Sequence, residues 1–227
     1  MTHNDIYKKF MIEYDKANIT SSYPSLTKTE IVTILNKAYL AILAQKVTGN
    51  NQRKSSFEAD IKAIEDLRPL ITTKEVNGVD NADFMADNET AYCVPNDLLY
   101  FINIRIEVWK GSKKIQPVNI VSHDVAEKYK KTYNNVPWMN NPVAYITSDQ
   151  IRILTDAYDD QLRARKCQVT YLHMPELFST SEQDGSTKFE LTDTMAEELI
   201  NLAIIFATEI TEAPRLQTKI STLSLES

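Results

Sequence analysis

Apolar residues recur every three or four positions toward both ends of this chain, and at every second position through much of its middle. Ile6, Tyr7, Phe10, Met11 and Tyr14 share one helix face, and the Ser/Thr/Pro stretch from Thr20 to Ser25 ends that helix. Thr27 and Glu30 stand three apart, the spacing at which each side chain reaches the other's unbonded backbone N–H, so a second helix is expected to open there. Its stripe is Ile31, Leu35, Ala38, Tyr39 and Ile42, flanked by Ile34, Ala41 and Leu43, broad enough to be covered from more than one side. Gly49-Asn50-Asn51 closes it with residues that tolerate positive φ. Ser55 and Glu58 repeat the capping spacing before a third helix, with Phe57, Ile61, Ile64 and Leu67 inward and Pro69 as its stop. Short connections favour antiparallel neighbours, which predicts a helical hairpin or bundle.

From Ile71 the period changes. Ile102, Ile104, Ile106 and Val108 alternate with Asn103, Arg105, Glu107 and Trp109, the pattern of a half-buried strand. Lys110-Gly111-Ser112-Lys113 predicts a hairpin turn into Ile115–Val118. Ile151 and Ile153 begin another strand, and Cys167, Val169 and Tyr171 mark a third, with Thr155 to Gln161 expected as the turn between these two. Ser122-His123-Asp124 is suited to cap a short helix through Tyr129, followed by the Asn-rich loop Asn134 to Pro142. A last helix is expected from near Thr194, with Glu197 completing a capping box and Met195, Leu199, Leu202, Phe206 and Ile210 inward; Pro214 ends it. The expected fold class is therefore α+β: an N-terminal helical hairpin or bundle and a C-terminal helix, with a mainly antiparallel β-rich part between them. The expected ranges are 1–71 for the helical part and 72–190 for the β-rich part, with its short helix near 122–133. Residues 191–213 form a helix packing back on the helical part, and 214–227 an extended C-terminal tail.

Composition narrows the function. Of 227 residues, 43% are hydrophobic, enough for a sizeable core, and no apolar run reaches the length of a membrane span; the longest, Leu199 to Ile210, contains Asn201, Thr208 and Glu209. The first residues, Met1 to Asp5, lack the basic-then-apolar order of a secretory signal, so export by that route is not expected. Two cysteines, Cys93 and Cys167, both in apolar strand-like contexts, make no disulfide framework and fit a reducing compartment. A net charge of −6 argues against gripping phosphate backbones, and four glycines leave little for phosphate-cradling loops.

The candidate chemistry is sparse. His3, His123 and His173 are far apart and belong to no zinc-ligand spacing. No nucleophile elbow, Walker A or dinucleotide fingerprint is present. Pairing Cys93 or Cys167 with His123 or His173 has no local support. Asp156, Asp159 and Asp160 lack the alternation of a calcium loop and fit a solvated turn. Lys128, Lys130 and Lys131, beside Tyr129 and Tyr133, form a basic-aromatic patch whose simplest reading is a solvated helix end near its C-terminal dipole. No catalytic, cofactor or metal residue is assigned. Trp138, in an Asn-rich loop, and Leu216, Ile220, Leu223 and Leu225, spread along the Ser/Thr-rich tail, are the candidate interface residues.

Several segments, taken in order, carry a resemblance. Tyr23-Pro24-Ser25-Leu26-Thr27, Leu35-Asn36-Lys37-Ala38-Tyr39, Phe57-Glu58-Ala59-Asp60-Ile61-Lys62 and Asp66-Leu67-Arg68-Pro69-Leu70-Ile71 resemble the start of a virion protein of crAss-like phages. Val94-Pro95-Asn96-Asp97-Leu98-Leu99, the loop Asn134 to Pro142 with Tyr145, and Val169-Thr170-Tyr171-Leu172 before Pro175 continue the likeness. The order of parts is also similar to tail tubular protein A, the head–tail adaptor of short-tailed phages. The resemblance implies a structural ring in the neck of the virion, assembled in the host bacterial cytoplasm, bound to the portal protein and adjacent tail or ring proteins. It further implies dodecameric symmetry, a lumen through which genome DNA passes without specific binding, no cofactor, no membrane and no active site. An acidic wall suits such a conduit, because like charge keeps DNA from adhering. The competing expectations are an enzyme with a site assembled from scattered residues, and a monomeric protein-binding adaptor.

Overall fold

The computed structural model describes residues 1–17, 26–48, 61–79, 88–109, 113–131, 137, 141–155, 166–180 and 187–210. The chain divides into two compact units, one comprising 1–70 and the described residues from 175 onward, the other 71–174.

In the helical unit, α1 (His3–Ala17) is capped by Thr2 and Asp5, whose side chains exchange hydrogen bonds with each other's backbone N–H. It buries Ile6, Phe10 and Tyr14. α2 (Lys28–Thr48) opens on the expected capping box: the Glu30 N–H donates to Thr27 Oγ1 at 3.3 Å and the Thr27 N–H to Glu30 Oε2 at 2.7 Å. Its broad apolar face is covered from several sides. α5 (Asp193–Ile210) and α3 (Ile61–Leu67) pack on it, and Asn36 exchanges two hydrogen bonds with the Phe178 backbone.

Two expected stripes are rotated. α3 buries Ala63, Asp66 and Leu67 and turns Ile61 and Ile64 outward. The reason is polar: Lys46 Nζ on α2 lies 3.1 Å from Asp66 and 3.2 Å from Glu198 on α5, so the Asp66 face has to point inward. α5 buries Met195 and Leu199 as expected, but the seam continues through Ile200, Ala203, Ile204 and Ala207. Leu202 and Phe206 are only half-buried, and Ile210 is exposed. Alanines on the inner face let α5 approach α1 and α2 closely, which a row of large side chains would prevent. The α5 cap is also displaced from its expected place. Thr192 Oγ1 accepts from the Met195 N–H at 3.4 Å, whereas the Glu197 carboxylate pairs with Lys9 on α1 instead of closing a box with Thr194.

The second unit is a seven-stranded mixed sheet in the order β1-β7-β3-β4-β5-β6-β2. Its strands are β1 (Ile71–Val76), β2 (Glu89–Cys93), β3 (Leu98–Trp109), β4 (Lys113–Ile120), β5 (Val143–Ile146), β6 (Gln150–Leu154) and β7 (Lys166–His173). All pairings are antiparallel except β4 with β5. β3 and β4 pair with Trp109 opposite Lys113, as the hairpin signal predicts. The register of β3 against β7 shifts twice, between Leu98 and Tyr100 and between Phe101 and Asn103, and such irregularities bend a strand. The bent sheet curls into a half-barrel. A bridge between Gly78 and Tyr92, with the Val79 N–H donating to the Ala91 carbonyl and the Cys93 N–H to that of Asn77, joins the two ends of the strand order. Tyr92, Ile104, Val118, Ala144, Ile153 and Val169, one from each of six strands, meet in its interior.

β6 and β7 are not neighbours in the sheet, and residues 156–161 of the turn expected between them lie outside the described residues. β6 instead forms a tight hairpin with β5, where the Thr147 N–H donates to the Gln150 carbonyl at 2.8 Å. β1 and β7 are adjacent, with Ile71 opposite Leu172, so the chain enters and leaves the half-barrel side by side.

Candidate functional site

On β2, β5 and β6, alternation sends Tyr92, Ala144, Ile151 and Ile153 into the half-barrel and turns Glu89, Tyr145, Arg152 and Leu154 to its outer face. Register then decides which side chains meet. Glu89 stands opposite Leu154, and Arg152 lies between Ala91 and Tyr145, so Glu89 is diagonal to Arg152. Over this face lies α4 (His123–Lys131), nine residues whose N–H groups at Val125 and Ala126 donate to the Ser122 carbonyl. Ala126 packs on Tyr145 and Leu154, with Val121 and Tyr129 at the margin.

Lys130 descends from α4 into the same place. Its ammonium donates to the Tyr145 hydroxyl and lies 4.5 Å from the Tyr145 ring centroid and 3.5 Å from Glu89 Oε2. The Tyr145 hydroxyl donates in turn to Glu89 Oε1, and Arg152 Nη1 approaches the same oxygen at 3.6 Å. Glu127 adds a more exposed carboxylate 3.3 Å from Lys130, and the His123 ring meets Tyr145 edge-on at 5.4 Å. The Glu89 side chain has no exposed surface, while those of Lys130 and Arg152 keep about 15%.

The chemistry of this group follows from its charges. Burial works against the Lys130 ammonium, but the Tyr145 hydrogen bond and the Glu89 charge outweigh it and hold its pKa above the ordinary lysine value. Burial, reinforced by the hydrogen bond to Glu89, likewise raises the Tyr145 phenol, against the opposing pull of Lys130. At neutral pH the lysine is therefore charged and the phenol protonated. Neither is a base or a nucleophile in this state; both are donors aimed at a carboxylate. The arrangement holds an anion in a low-dielectric place, and the anion it holds is Glu89.

The Lys128–Lys131 patch is thus not wholly a solvated helix end. Lys128 is exposed, but Lys130 is turned beneath the helix; the Lys131 side chain and Tyr133 lie outside the described residues. Cys167 sits in the half-barrel interior, where burial pushes its thiol up to about 12. Cys93, expected in an apolar context, is exposed on β2. His3 is buried and stacks on Phe178 at 4.2 Å, His123 at the start of α4 is exposed although its ring touches that of Tyr145, and His173 meets the Met174 carbonyl. Asp156, Asp159, Asp160, Trp138, Leu216, Ile220, Leu223 and Leu225 all lie outside the described residues. Among the described residues no group of three His, Cys, Asp or Glu side chains is placed to hold a metal ion, and no helix is long and apolar enough to cross a membrane. An open cleft of about 690 Å³ involves Cys93, Pro95, Leu98 and Asp149, at the opposite end of β2 from Glu89.

Sequence reasoning passed over Glu89 and Arg152 and quoted Tyr145 only within a resemblance. The one local signal was a glutamate and an arginine standing among residues of short strands. Their meeting depends on β6 pairing with both β2 and β5, which no spacing along the chain reveals. No family model and no curated protein matches the chain.

Proposed function

We propose that this chain is an assembly subunit: a ring-forming connector in the neck of a tailed bacteriophage, placed between portal and tail and lining a passage for the genome. The observation that best supports it is the layout. A helical unit is interrupted at Leu70 and resumed at Pro175, with a half-barrel inserted between, which agrees with the helical part and β-rich part of the family it resembles. The ordered sequence likeness and a net charge of −6 are consistent with a ring around DNA. Closed rings repeat one heterologous contact around an axis, so the subunit is expected to associate when a template ring is present. The test is mass in solution with and without the cognate portal protein, followed by electron cryomicroscopy of intact necks. Co-migration at high mass supports the reading. A chain that stays monomeric beside every virion component, and is absent from the neck density, removes it.

A second reading is a ligand or catalytic site assembled from scattered residues, and one specific observation favours it. Glu89, Lys130, Tyr145 and Arg152 come from four elements into one buried group, which bears on this reading more directly than the fold bears on the first. Two cations and a phenol would suit a carboxylate or phosphate ligand able to displace Glu89. Thermal-shift screening of carboxylated and phosphorylated metabolites against the unmodified protein and Arg152→Met decides it. A compound that stabilises the first and not the second supports a site; equal responses to every compound reduce the cluster to a structural one.

A further inference from the structure

We propose that α4 is a detachable cover on the half-barrel, latched by Lys130, which opens as a unit while the barrel beneath stays folded. The inference depends on neither functional reading. It starts from how α4 is held. A nine-residue helix is below the roughly 12–15 residues at which isolated helices become even marginally stable, so α4 exists only through its docking. The apolar part of that docking is small: Ala126 against Tyr145 and Leu154, with Val121 and Tyr129 partly buried at the edge. It is also separate. The half-barrel's interior is built by Tyr92, Ile104, Ile153, Val169 and their neighbours on the opposite face of the sheet, and it includes no residue of α4.

The remaining hold is the edge-on contact of the exposed His123 ring with Tyr145 and a polar latch, in which Lys130 reaches the buried carboxylate. When α4 lifts, Lys130 regains water. Glu89 keeps Arg152 and the Tyr145 hydroxyl on the sheet itself, so the opened face is not left with an uncompensated charge. That retained pairing lets the cover open without unfolding what it covers. Two separate clusters on two faces of one sheet amount to two cooperative units of unequal stability. The opened face presents Val143, Tyr145 and Leu154 around the Glu89–Arg152 pair, an apolar surface with one carboxylate, suited to an amphipathic helix carrying a basic residue as α4 does.

Hydrogen exchange by mass spectrometry on the full chain tests this. Peptides covering 122–131 are expected to exchange at least ten-fold faster than those covering β5 and β6 in the unmodified protein. Lys130→Met, which keeps the stem and removes the ammonium, is expected to speed the α4 peptides by a further ten-fold or more and leave the strand peptides unchanged. Lys128→Gly, at an exposed α4 position outside the latch, should speed α4 exchange about five-fold through helix propensity alone, and it decides the matter if Lys130→Met does not fold. A common exchange rate for α4 and the strands, moved equally by these substitutions, overturns the proposal.

Discussion

Glu89 is held so completely that its neighbours depend on it. Replacing Glu89 with Ala leaves Lys130 and Arg152 facing each other in a poorly hydrated place, and removing one partner of a buried pair costs about 3–5 kcal/mol. Tyr145→Phe removes a single hydroxyl and leaves the carboxylate its two cations, so its cost is smaller, about 1–3 kcal/mol. Urea denaturation of the two variants should rank them in that order. A reversed order would mean that the hydroxyl, not the charge, holds the cluster. Cys167 gives a pH prediction on the alkaline side. Its thiol ionises near 9.0 in an unfolded chain and near 12 in the folded one. Above pH 9 the unfolded chain loses a proton that the folded chain keeps, so stability is complete below pH 9 and falls by about 1.4 kcal/mol per pH unit toward pH 12. Tyr39 and Tyr92, raised by burial from 10.0, steepen the fall above pH 10. Cys167→Val should move the alkaline midpoint upward; an unchanged midpoint would contradict a buried thiol.

Helix ends show how far local pattern reaches. The Thr27–Glu30 box needs only residues four positions apart at most, and it forms as spaced. The α5 start was expected near Thr194, because Glu197 stands three residues after it, and that placed the cap two residues too late. Lys9 on α1 takes the Glu197 carboxylate, leaving Thr192 as the cap. Thr192→Ala should therefore cost about 1 kcal/mol and Thr194→Ala markedly less, measured by thermal denaturation. Equal losses would restore the Thr194 cap. The same limit explains the rotated stripes. Periodicity marks which residues are apolar, but on α3 the inward face was set by Asp66 meeting Lys46, and on α5 by small residues meeting α1 and α2. Strands with strong alternation, β3 and β7, were legible. The shorter β2 and β5 were not, because four or five residues carry too little period to separate from a loop.

Across the whole molecule, the fold class was legible, since it rests on periods of 3.6 and 2 that persist for whole segments. Strand order and the Glu89 cluster were not, since both arise from pairings between residues from tens to about a hundred positions apart. The half-barrel has its own interior, and its first and last strands are paired. A fragment spanning 71–174 is therefore expected to fold alone, with a cooperative thermal transition and dispersed amide resonances. A fragment that stays unstructured would show that the inserted unit needs the helices. The interruption at Leu70 also has a consequence for the growing chain. The faces of α1 and α2 that receive α5 leave the ribosome about 145 residues or more ahead of it. The half-barrel, whose strands are all made before α5 begins, can fold first during synthesis, while the first helices still expose apolar surface. The vulnerable moment in making this protein is thus a wait, and slowing translation between Pro175 and Asp193 should lengthen it and raise the share of nascent chain captured by chaperones.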